Sequence, residues 1–140
     1  VSFAIKVTTT VQRDSQDAET VAERTFSNLA AEDRYQVVVN NAASTLWDPT
    51  VAGVGIGNFD LAILFSDVEV EVELTCNEGD ANEEISHFTL AANTCVVLGS
   101  DTARYNYTTD AFAGTLDVID KIRVKEVNSV DATVELRLYT

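Results

Sequence analysis

Methionine is absent from these 140 residues; proline, histidine and tryptophan occur once each, and cysteine twice. Each scarcity removes a class of chemistry. A nucleophile, a base and an orienting group must converge in space for covalent catalysis. His87, the lone histidine, lies between Ser86 and Phe88 on a predicted strand and reads as structural, so no enzyme is expected. Cys76 and Cys95 match no zinc or redox spacing. A bridge between them is geometrically open, since Cys76 ends one predicted strand and Cys95 opens another, but two buried thiols are expected. Gly53, Gly55 and Gly57 are not a dinucleotide fingerprint, because Asn58 stands where a third glycine is required and no helical pattern follows. No cofactor is expected.

Positive charge is also scarce. Nine basic residues face 23 acidic ones, for a net charge of −14. Between Arg34 and Arg104 there is no Lys or Arg but there are eleven acidic residues. A surface of that sign repels phosphate, which disfavours nucleic acid and anionic membranes as partners. Long apolar runs are missing too: the most apolar stretch, Val51 to Phe65, is broken by three glycines, Asn58 and Asp60, short of the roughly 20 residues of a spanning helix. No basic segment followed by an apolar one marks a signal peptide, so none is expected.

What the chain does have is alternation. Val68, Val70, Val72 and Leu74 alternate with Glu69, Glu71 and Glu73, and Ala132, Val134, Leu136 and Leu138 alternate with Thr133, Glu135, Arg137 and Tyr139. A period of two places one face in a core and the other in water. Phe3, Ile5, Val7, Thr9 and Val11 open the chain in the same way, followed by a polar turn at Asp14-Ser15-Gln16-Asp17. The segment 18–30 fits a helix or a strand; a strand over Val21–Phe26, pairing back on the first, is favoured because a Thr-rich strand needs a partner. Further strands are predicted over Tyr35–Asn40, Phe59–Phe65, Ser86–Leu90 and Thr94–Leu98, with a long irregular connection from Arg104 to Gly114. The last two, Val118–Val127 and Ala132–Tyr139, read as a hairpin with Val124 opposite Val134, Ile122 opposite Leu136 and Arg123 opposite Glu135. The expectation is one all-β domain over residues 1–140: an antiparallel, jelly-roll-like β-sandwich of eight to ten strands with at most one short helix.

Lys121, Arg123 and Lys125 form a basic ladder at two-residue spacing, opposite in sign to Glu69, Glu71 and Glu73. The two ladders are complementary within one sheet or across a subunit boundary. Glu78, Asp80, Asn82 and Glu84 place four oxygen side chains at alternate positions of one loop, a weak match to a calcium ligand set. Asn106-Tyr107-Thr108 matches a glycosylation sequon. Trp47, Tyr105, Tyr107 and Tyr139 raise an alternative, a sugar-stacking platform of a carbohydrate-binding or adhesive module.

Several segments together resemble small β-sandwich virion proteins of tailed bacteriophages: Tyr35-Gln-Val-Val-Val-Asn40, Leu46-Trp-Asp-Pro49, Phe59 to Leu74, Phe88-Thr-Leu90, Val97-Leu-Gly-Ser-Asp101 and Leu116 to Lys125. The likeness is a succession of strand and turn patterns over most of Tyr35 to Thr140. It implies a virion structural protein, most commonly a capsid decoration, or cement, protein on the outer surface of the virion, with tail, neck and head-fibre positions open to the same fold. Its partners would be the major capsid protein and copies of itself, and it would have no catalytic residues. The N-terminal third lies outside the resemblance. A Thr-rich terminal strand carrying Phe3, Ile5 and Val7 is expected to be part of the docking surface.

Overall fold

The computed structural model describes residues 1–11, 17–51, 53–81, 83–99, 101, 104–105 and 116–140. The chain forms two compact units, Val1–Ala31 and Glu32–Thr140. The sandwich expected over the whole chain begins at Glu32.

The first unit is an antiparallel pair, β1 (Phe3–Val11) and β2 (Glu19–Leu29). The ambiguous segment is thus a strand, and it pairs back on the first as the Thr-rich pattern requires. Ile5 lies opposite Phe26, Val7 opposite Arg24 and Thr9 opposite Ala22. This gathers apolar side chains on one face, with the Arg24 guanidinium 5.7 Å from the centre of the Phe26 ring. Lys6 and Glu23 pair at 2.6 Å. The register breaks between Phe3 and Ile5, where Asn28 takes φ 63°; asparagine tolerates that left-handed conformation, which a bulge demands.

The second unit comprises β3 (Glu32–Val39), β4 (Ser44–Trp47), β5 (Leu61–Ser66), β6 (Val70–Cys76), β7 (Glu84–Leu90), β8 (Thr94–Leu98), β9 (Arg104–Tyr105), β10 (Leu116–Asp117), β11 (Ile119–Glu126) and β12 (Ala132–Tyr139). Two four-stranded sheets have the orders β4-β11-β6-β7 and β3-β12-β5-β8, while β9 and β10 pair by themselves. All strand pairs are antiparallel, and no helix occurs among the described residues. The twelve strands among the described residues exceed the eight to ten expected, because β9, inside the stretch read as irregular, and β10, just after it, are two-residue pieces. The inward rows of both large sheets meet in a single apolar core, with Val70, Val72 and Leu74 from one and Ala132, Val134, Leu136 and Leu138 from the other. The alternation read from the sequence is therefore a sandwich interior.

The predicted last hairpin does not exist. β11 is flanked by β4 and β6, and β12 by β3 and β5, so neither has an edge left for the other. Val124 faces Val72 and Ser44 rather than Val134; Glu135 faces Gln36 and Phe65 rather than Arg123. The short segment after β11 passes from one sheet to the other, with Ser129 at φ 59° and the buried Glu126 carboxylate accepting from the Asn128 N–H. A tight hairpin and a tight arch both join alternating strands by a few polar residues. Periodicity assigns faces, not partners.

The glycine loop between β4 and β5 is tied down from several sides. Trp47 Nε1 donates to the Ile56 carbonyl at 2.8 Å, and the Trp47 ring meets Phe59 edge to face at 5.3 Å. Gly55 lies so close to the Asp33 carboxylate that a Cβ there would fall 2.2 Å from Oδ2. Asp101, 3% exposed, accepts from the Phe59 N–H through Oδ2 at 3.2 Å, and its backbone bonds to both Phe59 and Ile119. These links seat Phe59 in the core and join the loop to the start of β11.

Candidate functional site

The outer face of the β4-β11-β6-β7 sheet brings the two charge ladders together. Arg123 lies opposite Glu73 and Lys125 opposite Glu71 on neighbouring strands, and Arg123 Nη1 is 3.0 Å from Glu73 Oε1. They meet inside one sheet, not across a subunit boundary. The match is offset by two residues: Lys121 faces Thr75, and Glu69 precedes β6. Lys121 instead reaches Glu78 and, at 3.6 Å, Asp48. The Glu78 contact raises the Lys121 pKa, and the Thr50 hydroxyl, followed by its N–H and Lys121, lowers that of Asp48.

His87, opposite Glu73 on β7, completes the row. Its Nδ1 lies 2.8 Å from Glu71 and its Nε2 3.1 Å from Glu73. Both ring nitrogens thus face carboxylates that also face the basic ladder, which is the geometry of a surface charge network. A shallow hollow of about 190 Å³ lies among Ala43, Glu71, Glu73, His87, Arg123 and Lys125. The Arg123–Glu73 pair is partly exposed, and its coupling in a double-mutant cycle of Arg123→Ala and Glu73→Ala is expected to be about 0.2–1 kcal/mol, measured by urea denaturation.

The candidate cation loop is spoken for differently. Glu78 pairs with Lys121, Glu83 Oε2 accepts from the Gly79 N–H at 2.7 Å, and Glu84 opens β7 opposite Cys76. Asn82 lies outside the described residues, and among those described no three His, Cys, Asp or Glu side chains converge on a metal position.

Two members of the candidate aromatic platform are buried. Trp47 and Tyr139 are in the interior, 1% and 4% exposed, so neither offers a face to a sugar. Tyr107 and the sequon lie outside the described residues, as does the side chain of Tyr105. No disulfide joins the cysteines, whose strands lie in different sheets; Cys76 is buried as expected, but Cys95 is exposed on the outward row of β8.

On the outer face of the β3-β12-β5-β8 sheet, Glu135 lies 2.5 Å from both Arg34 and Arg137. Arg137 first, then Arg34, holds the Glu135 carboxyl below its usual range. A carboxyl lowered on folding adds stability that is complete above its unfolded pKa and is lost as pH falls through its folded one. The stability gap between wild type and Glu135→Gln, no more than about 1 kcal/mol for so solvated a network, is expected to be open at neutral pH and to close as pH falls through and below the ordinary carboxylate range. Thermal melts of both proteins across that range check it.

Beside this network stands an apolar strip that the sequence reading missed: Ile63 and Phe65 of β5 against Val97 and Cys95 of β8. Phe65 was hidden in a continuous apolar run, which reads as wholly buried. The signal available was the charge-free stretch from Ala91 to Ser100.

The expected docking residues Phe3, Ile5 and Val7 lie in the first unit, whose strands are exposed along most of their length. Val1–Ala31 carries three basic and four acidic residues, against six and nineteen from Glu32 onward. Nearly the whole negative charge therefore belongs to the sandwich. No family model, curated protein or solved structure matches this chain.

Proposed function

We propose that this chain is a virion structural protein of a tailed bacteriophage, a capsid decoration protein whose sandwich stands on the outside of the shell and whose N-terminal hairpin docks on the major capsid protein. The observation that carries the reading is the first unit: a two-stranded sheet, almost neutral, with Phe3, Val11 and Val21 exposed. Isolated hairpins are marginal in water and gain from a third strand. Among the described residues no strand pairs with the outer edge of β1, which carries one charge, Lys6, and no proline, whereas β2 carries Glu19, Glu23 and Arg24. An added strand is favoured along β1.

The sandwich suits the role of an inert head. Its pairs nest as β3 with β12, β4 with β11, β5 with β8 and β6 with β7, a long ribbon wound on itself that we read as a jelly roll. Binding only the assembled shell stabilises that shell by mass action, without chemistry. Imaging of the intact particle tests the assignment. Density for the sandwich is expected at junctions of the capsid lattice, and its absence there, with density on tail or fibre, would refute it.

A further inference from the structure

Exposed strand edges invite pairing, and proteins guard them with charge, proline, bulges or brevity. Three edges of the sandwich are guarded. β3 carries Glu32, Asp33 and Arg34, β7 carries Glu84 and His87, and β4 has four residues followed by Asp48-Pro49. The fourth is not. β8 runs five residues, Thr94–Leu98, in unbroken register with β5, and among the described residues no strand pairs with its other side.

Its outward row continues the apolar strip. Cys95 stands opposite Phe65 and Val97 opposite Ile63; Phe65 and Val97 are 40% and 37% exposed. Ile63, Phe65 and Cys95 of the strip, with Glu135 and Arg137, bound a shallow depression of about 340 Å³. In a protein of net charge −14, two copies repel almost everywhere, and an edge strand without formal charge, Thr94–Leu98, is where that repulsion is least.

We propose that β8 is a self-association edge, on which a second copy of this chain adds its own β8 antiparallel about a two-fold axis through Val96. The result is a continuous eight-stranded sheet. A two-fold contact must be self-complementary, and this segment is. Val96 meets the partner's Val96, Cys95 meets the partner's Val97, and the outward apolar strips join across the axis. An edge this short buries less than the roughly 800 Å² per partner of a standard interface. Association is therefore weak, concentration-dependent and strengthened by salt, which screens the like charges of the two copies. The inference is independent of the capsid assignment, because its test uses the full chain alone.

Sedimentation of the full chain over about 10–500 µM should show the average mass rising above 15.2 kDa toward twice that value, more steeply at high salt. A bismaleimide spanning about 8 Å should join Cys95 of two copies, which sit diagonally across the pair. Val97→Lys should weaken association at least about tenfold while leaving circular dichroism unchanged. If that variant misfolds, Cys95→Asp, at an exposed outward position, takes its place. A mass fixed at the monomer value, association weakened by salt, or a dimer indifferent to the folded variant would each overturn the proposal.

Discussion

Trp47→Ala is expected to cost about 3–5 kcal/mol of folding stability, enough to leave little native protein in a domain of ordinary marginal stability. The indole is almost fully buried, packs edge to face on Phe59 and holds the Ile56 carbonyl through Nε1. Its removal opens a cavity at the end of β4 and also releases the glycine loop. Trp47→Phe separates the two effects. It keeps most of the packing and leaves the Ile56 carbonyl without its donor, for a loss of about 1–3 kcal/mol. Urea denaturation of the three proteins checks the order. A Trp47→Ala protein as stable as wild type would mean that the ring does not sit in the core.

Under the capsid-decoration proposal, removal of Val1–Ala31 is expected to abolish attachment to assembled shells while the sandwich still folds. The core cluster draws every member from Val39 onward, so the second unit retains its apolar interior without the hairpin. Cosedimentation with bare shells of the cognate phage should show full-length chain on the particle and the truncated chain in the supernatant. Val7→Lys in the intact chain is a milder form of the experiment. Val7 is half-buried on the apolar face of β1, and a charge there should lower occupancy on the order of tenfold or more, equivalent to about 1.4 kcal/mol. Undiminished occupancy of the truncated chain would remove the hairpin from the docking surface. Loss of the sandwich fold would show that the two units depend on one another.

The charge ladders show how far residue patterns reach. That Arg123 and Lys125 should lie near Glu71 and Glu73 follows from complementary signs at equal spacing. That Lys121 should abandon the ladder for Glu78 and Asp48 does not follow, because it depends on the offset between β11 and β6. Trp47 and Tyr139 mislead in the other direction. Aromatics with a polar atom suit a wet platform as well as a core, and only the position of the Ile56 carbonyl and the flanking strands places them inside.

The alternation of side chains by itself determined the all-β class and the inward and outward rows, and left segment 18–30 open between helix and strand. These are local properties, set by the geometry of an extended backbone and by which side chains water solvates well. The partner of each strand was decided only in three dimensions. The segment between β11 and β12 can fold back as a hairpin or cross to the opposite sheet with the same apolar rows buried. The choice falls to the nested pairing of the whole ribbon, which gives β12 the neighbours β3 and β5 and leaves β8 with an open edge.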